Sequence, residues 1–366
     1  MLQTVRATIS AIARADSQVV EARATVYGET GERRVVAYPA LTGSLAVGDS
    51  VLLNVTATAL ALGTGGYDFV SANLSRVAPT TLGDPDGTEH IIKLRYTPHQ
   101  HAVRAVEMTP EYPAYWEQSR TPLRGTPVVV CELHSQIAAV CAGVKAANPE
   151  ARIVYVYTDT AALPIAFSRL VPQLKEANLL DNTVTTGQAF GGDYEAVSIA
   201  SALIAAVHVA GADVVVVGQG PGNAGTGTRY GWSGIEQGSQ LDLAGMLDGT
   251  TIAAVRVSGG EARERHQGVS HHSLTVLGKI AQHTHLVAYP AEREWEQVSS
   301  DLELGEETIR HRLSAGASKP GLKLLAERDI RVTTMGRTAD EDQPFFAFAC
   351  AAGDLAARHI ITPTPE

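Results

Sequence analysis

VVVVGQGPGNAGTGTRYG, residues 214–231, is the stretch on which the fold turns. Four consecutive valines without polar alternation make a strand buried on both faces, which a parallel sheet covered by helices on each side requires. The chain then leaves that strand through a run with six glycines in fourteen residues, 218–231. Upstream, Ser198–Gly218 is the only apolar stretch of membrane length, but it contains His208 and Asp213, and Gly211 interrupts it. It reads as a helix followed by the buried strand rather than a membrane span.

The same texture extends outward from this strand. Val128–Cys131, Ile153–Tyr157, Thr183–Thr186 and Ile252–Val257 are strand-like, and His285–Tyr289 and Ile330–Thr334 add two candidates. Between them, His134–Ala147, Pro164–Ala177, Asp193–Ala210 and Ile235–Leu247 have helical spacing, and a closing helix is expected at Phe345–His359. Strands alternating with helices of ten or more residues imply right-handed crossovers and a doubly wound, mostly parallel α/β domain over residues 127–366.

Residues 1–103 have a different character. Val5–Ile12, Val19–Val26, Arg33–Tyr38, Ser50–Thr58 and Tyr67–Asn73 are short, rich in Val, Thr and Tyr, and separated by glycine turns. They predict a small antiparallel β domain, either barrel or sandwich. Leu82–Gly87 reads as a loop and His90–Thr97 as a further strand, on which alternation would place Lys93 and Arg95 on one face. That face is either solvated or a source of positive charge for a ligand. Residues 104–126, with three prolines and several aromatics, read as an ordered connector.

Composition narrows the function classes. Of 366 residues 45% are apolar and only 5% aromatic, so the core is built from small and β-branched side chains. A net charge of −10 argues against general affinity for nucleic acid or anionic membranes. Three dispersed cysteines exclude a disulfide scaffold and a cysteine-rich zinc module and suit a reducing cytoplasm. The N-terminus shows no export signal. A homo-oligomer is expected on general symmetry grounds.

The glycine-rich loop is the first site candidate. Glycines let a ligand approach the backbone, and successive N–H groups before a helix seat phosphate or carboxylate. Gly220, Gly222, Asn223, Gly225, Thr226, Gly227, Thr228 and Arg229 are therefore candidate anion-binding residues. Gly220, Gly222 and Gly225 spell GxGxxG, but loop residues continue through Gly234 and no acidic residue follows the next strand, so a dinucleotide site is not indicated. No Gly-Lys-Ser/Thr follows either, which excludes a P-loop. The structural alternative is a connection that lets strand and helix pack tightly.

The second candidate is Ser258–Ser273, SGGEARERHQGVSHHS, which follows the next strand. Arg263 and Arg265 could hold an anion, and His271 or His272 could transfer a proton. Ser270 also resembles a helix N-cap. Glu132 and His134 stand at the end of the first strand and Asp159 at the end of the second, where either could complete a carboxylate–imidazole set or cap a helix. No tight metal-ligand spacing is present, so no metal is assigned and the cofactor stays open. Cys131 reads as a buried strand cysteine rather than a nucleophile.

KLRYTP (93–98), the LHS block with its helix (133–147), GPGNAGTGTRYG (220–231) with GIEQG (234–238), and RERHQGVSHHS (263–273) together resemble a bacterial family of unknown function. The resemblance covers nearly the whole chain. It implies one integral two-part protein and carries no reaction. The residues themselves point to an enzyme acting on a small anionic, phosphorylated or nucleotide-like metabolite by hydrolysis or group transfer. The alternative is a non-catalytic sensor or assembly protein.

Overall fold

The computed structural model describes residues 1–76, 90–109, 121–292 and 310–360. They form two compact units, Met1–Val103 and Arg104–Glu366. The Leu82–Gly87 loop and the middle of the proline-rich connector lie outside the described residues. The flanks of that connector belong to the second unit, where Val106 and Leu123 are buried in its core.

The first unit is a closed five-stranded barrel. Strands β1 (Thr4–Ala15), β2 (Val20–Val26), β3 (Arg33–Ala37), β4 (Ser50–Asn54) and β5 (Tyr67–Asn73) are ordered β1-β2-β3-β5-β4. β4 pairs back onto β1, which closes the ring. The barrel is not wholly antiparallel, because β3 and β5 run parallel. β1 can serve two neighbours because register irregularities after Ile9 and after Ile12 bend it around the barrel. Small and branched side chains fill the interior, among them Ala7, Ile9, Ala24, Val35, Val51 and Leu53. β6 (His90–Lys93) and β7 (His101–Arg104) form a separate ribbon. The strand expected to run to Thr97 stops at Lys93, since Leu94 and Tyr96 both take positive φ. Lys93 and Arg95 therefore do not share a face: Lys93 is buried and Arg95 is exposed.

The second unit contains an eight-stranded sheet, parallel throughout. Its strands are β8 (Pro127–Cys131), β9 (Ile153–Thr158), β10 (Asn182–Thr185), β11 (Tyr194–Glu195), β12 (Val214–Gln219), β13 (Thr250–Ala254), β16 (Leu286–Pro290) and β17 (Arg312–Gly316). They are ordered β11-β10-β9-β12-β8-β13-β16-β17. β14 (Val257–Ser258) and β15 (Gly268–Val269) make a small antiparallel ribbon, so the expected strand Ile252–Val257 is broken after Ala254. Ile330–Thr334 is not a strand. It is the irregular exit from helix Lys319–Glu327, and Arg312–Gly316, with fewer β-branched residues, takes the edge instead.

Helices cover both faces, as the uninterrupted valine runs require. Val129, Cys131, Tyr155 and Val216 pack toward helices Gln136–Ala147 and Gln343–Arg358. Val128, Val130, Val156 and Val217 pack toward Ile199–His208 and Gln237–Met246. The first layer is unusually close. A Cβ on Gly143 would come 2.1 Å from the Cys350 carbonyl oxygen, and one on Gly353 would come 2.0 Å from that of Val140. Among the described residues no helix is long and apolar enough to cross a membrane.

Strand order fixes where a site can form. The chain leaves β8 for β9 across the place later filled by β12, then adds β13 on the other side of β8. The segments following β12, β8 and β13 thus emerge side by side at one edge of the sheet, the place where open α/β sheets gather ligands.

Candidate functional site

The three loops that follow the neighbouring strands β12, β8 and β13 meet at that edge. Glu132, the first residue past β8, is fully buried. Its Oε2 accepts a hydrogen bond from Ser273 Oγ at 2.8 Å, and its Oε1 lies 3.3 Å from His272 Nδ1. Arg256, just past β13 and only 4% exposed, sets a guanidinium nitrogen 3.7 Å from Oε1 and another 3.6 Å from Glu261. Burial of this charge is tolerable because it is shared between two carboxylates.

Three histidines gather beside Glu132. His266 sits on a short 3-10 turn, Glu264–His266, and the β14–β15 ribbon then folds the chain back so that Ser270 starts the helix His271–Thr275. Ser270 Oγ accepts from the His272 amide at 3.2 Å and lies 2.8 Å from His266 Nδ1. The N-cap expected at Ser270 is present, and the same oxygen also orients a ring. The His266, His271 and His272 rings lie 4.3–4.8 Å apart between centroids. Trp232, from the glycine-rich segment, stacks on His272 at 3.8 Å with a 3° interplanar angle. Burial, and next the Arg256 guanidinium, hold the His266 imidazole down to about 3. Burial, followed by His272 and Arg265, lowers that of His271. These two rings are neutral near pH 7, with lone pairs available. His271 Nε2 is buried and has no hydrogen-bond partner among the described residues.

The glycine-rich segment is an exposed hairpin, not an open cradle. Thr226 N donates to the Gly231 carbonyl at 2.8 Å and Ser233 N to that of Ala224 at 2.9 Å, on either side of a bridge between Gly225 and Trp232. Thr226 and Thr228 spend their hydroxyls on each other, and Thr228 also accepts from Gly231 N. Asn223 Oδ1 accepts from Ser233 Oγ, Gly234 N and Gln219 Nε2, so it stabilises the hairpin base. Gly220 is required for packing, since a Cβ there would lie 1.9 Å from the Tyr157 hydroxyl. Gly227 takes a positive φ of 77° at the tip, beside the Arg265 guanidinium. The amides of Gly222, Gly227, Thr228 and Arg229 are not consumed by backbone bonds of the hairpin.

The arginines divide into two kinds. Arg263 is locked, with Nε at 3.0 Å and a terminal nitrogen at 2.8 Å from the two oxygens of Glu261. That pairing holds the Glu261 carboxyl down to about 2. Arg229, over the Tyr230 ring at 5.6 Å, and Arg265 are exposed and have no ion pair among the described residues. Arg337 continues the ionic chain outward, 3.5 Å from Glu261 and 3.0 Å from buried Asp342.

His134 and Asp159 do not join the cluster. Nδ1–H of His134 donates to the Gln219 carbonyl at 3.2 Å, and its Nε2 accepts from Ser168 Oγ at 2.7 Å. Burial holds this imidazole down to about 4. Asp159 accepts from Gln188 N at 2.8 Å and braces the turn after β10. Cys131 is buried, and burial raises its thiol pKa. Sequence reasoning missed His266 as a partner of His271 and His272, and also Arg256, Trp232 and Glu261. His266 stands five and six positions from the other two, a spacing that no regular element brings together. The other three are isolated residues without a pattern.

A separate cavity of about 300 Å³ lies beyond β16 and β17, lined in part by Glu292, Lys319, Leu322 and Phe348. Its helix start is already taken by Glu292, which accepts from the amides of Ser318 and Lys319.

A mostly parallel α/β unit with an ionic and imidazole cluster at its switch-point edge is the class the geometry defines. The chain belongs to the family described as "Protein of unknown function (DUF3866)", whose model matches residues 34–353. No curated protein and no solved structure matches it.

Proposed function

We propose that the protein binds a small anionic, phosphorylated or nucleotide-like metabolite over the carboxyl ends of β8, β12 and β13, and acts on it by hydrolysis or group transfer at the histidine cluster. The observation that carries this reading is the junction of two loops: Trp232 stacks on His272, and Arg265 flanks Gly227. Arg229 and Arg265, without ion pairs among the described residues, thereby stand on the same loops as a group of imidazoles backed by Glu132. Fixed positive charge for an anion beside groups able to exchange protons is the combination such chemistry needs. The hairpin amides at 222 and 227–229 add donors.

Three buried thiols free of disulfides suit the cytoplasm, where we place the protein. Self-association as a homo-oligomer belongs to the same proposal and is read by sedimentation of the full chain. A second reading is favoured by the hairpin's internal bonding: with Asn223, Thr226 and Thr228 already engaged, the loop can act as a sensor flap without turnover.

The test is a thermal-shift screen of the full chain against inorganic phosphate, nucleotides and sugar phosphates. At one hundred times Kd a ligand adds about 2.7 kcal/mol, roughly 5–11 °C for a unit of this size. Arg265→Ala and Arg229→Ala are expected to remove the shift and leave the fold intact. Binding without any consumption of ligand selects the sensor reading. Absence of any response across the screen refutes both.

A further inference from the structure

We infer that His266, His271 and His272 form a three-imidazole site for a divalent transition metal of the zinc class. Each presents one ring nitrogen, and the three nitrogens lie within 4.8 Å of one another. Side-chain rotations that move each nitrogen by up to about one ångström bring such a set to the spacing of a tetrahedral centre, whose Zn–N bonds are about 2.0–2.1 Å. The inference requires only the trio, so it can hold or fail independently of the anion reading.

The surroundings of the trio match what imidazole ligands need. A ligating histidine is held in the correct tautomer when its other nitrogen donates to a carboxylate, hydroxyl or carbonyl. His272 Nδ1 has Glu132 Oε1 at 3.3 Å, and His266 Nδ1 has Ser270 Oγ at 2.8 Å. Protons donated at those two positions leave Nε2 of both rings with a lone pair for the metal. His271 Nε2 is the buried polar atom without a partner described above, and buried nitrogens of this kind call for an explanation. A metal ion supplies one. Glu132 and Glu261 offset the Arg256 guanidinium, so the pocket is not closed to a cation by charge.

The choice among metals follows from the donors. Three neutral nitrogens with no thiolate suit zinc, cobalt, nickel or copper over magnesium or calcium, which prefer oxygen. Three protein ligands leave a fourth position open, the arrangement of reactive rather than purely structural sites. Water or an anionic oxygen of a bound molecule would occupy it. No short sequence motif announces the site, because its ligands come from a 3-10 turn and a helix start joined by the β14–β15 reversal.

The experiment uses the full chain, stripped with chelator and titrated with Zn²⁺ and, separately, Co²⁺ by calorimetry. One equivalent is expected to bind. His266→Ala, His271→Ala and His272→Ala are each expected to weaken binding more than 100-fold, beyond the 10–100-fold typical of an outer-shell partner. His359→Ala, an exposed histidine at the end of the last helix, is expected to leave it unchanged. Co²⁺ is also expected to quench the fluorescence of Trp232, stacked on His272, and Trp232→Phe removes that quenching while the stoichiometry stays at one. This readout on the wild-type histidines decides the matter even if an alanine variant fails to fold. No binding by the stripped wild-type chain, or quenching and stoichiometry that persist in all three histidine variants, overturns the inference.

Discussion

Glu132→Gln replaces one oxygen by nitrogen at a fully buried position, so packing volume is kept and only charge and one acceptor are lost. In the wild type the carboxylate faces Arg256 at 3.7 Å, with Arg256 itself 4% exposed. With an effective dielectric near 20, Coulomb's law gives about 4–5 kcal/mol at that separation. Removing one partner of a buried pair costs about 3–5 kcal/mol, because the remaining charge is left without compensation. Glu261, 3.6 Å away, retains part of the pairing, which places the expectation near the lower value. For a unit of this size that is roughly 6–12 °C in Tm. The assay is thermal unfolding of the full chain followed by circular dichroism, with Glu132→Gln, Arg256→Met and the double variant compared as a cycle. The double variant is expected to be more stable than the sum of the single losses by about 2 kcal/mol or more, since it removes both charges together. A single-variant loss under about 1 kcal/mol, or strict additivity, refutes the idea that this pair is the electrostatic keystone beneath the histidines.

The remaining expectations are briefer. His134 is held down to about 4 by burial, against about 6.5 when unfolded, so below pH 6.5 the unfolded chain takes up a proton that the folded chain refuses. Its contribution therefore turns unfavourable as pH falls from about 6.5 to about 4. Urea midpoints measured across that window should decline, and less steeply in His134→Gln. Gly353→Ala drives a Cβ toward the Val140 carbonyl, and overpacking of this kind costs about 1–3 kcal/mol or more, read as a lower Tm; an unchanged Tm would mean the two helices can separate freely. Trp232→Ala removes the stack on His272, worth about 0.5–1.5 kcal/mol beyond burial. It should expose the 224–231 hairpin to faster limited proteolysis, and equal cleavage rates would show that the stack does not anchor the loop.

Residue chemistry along the chain determined the architecture. Val128–Cys131, Val214–Val217 and their neighbours have no polar alternation, and only a sheet covered on both faces accommodates such runs. The edge strand Arg312–Gly316 was illegible because it lacks such a run: at the margin of a sheet, pairing with Leu286–Pro290 substitutes for intrinsic preference. The sequence also marked the two loops that meet, since each follows a central strand. It left two readings of the glycine-rich segment open, and only the tertiary structure shows that Gly220 answers to the Tyr157 hydroxyl and the threonines to one another. The grouping of Glu132, Arg256, His266, His271 and His272 depends on strand order and on the two-residue β14–β15 reversal. Those are long-range facts, set by how β12 slots between β8 and β9, and no local spacing carries them.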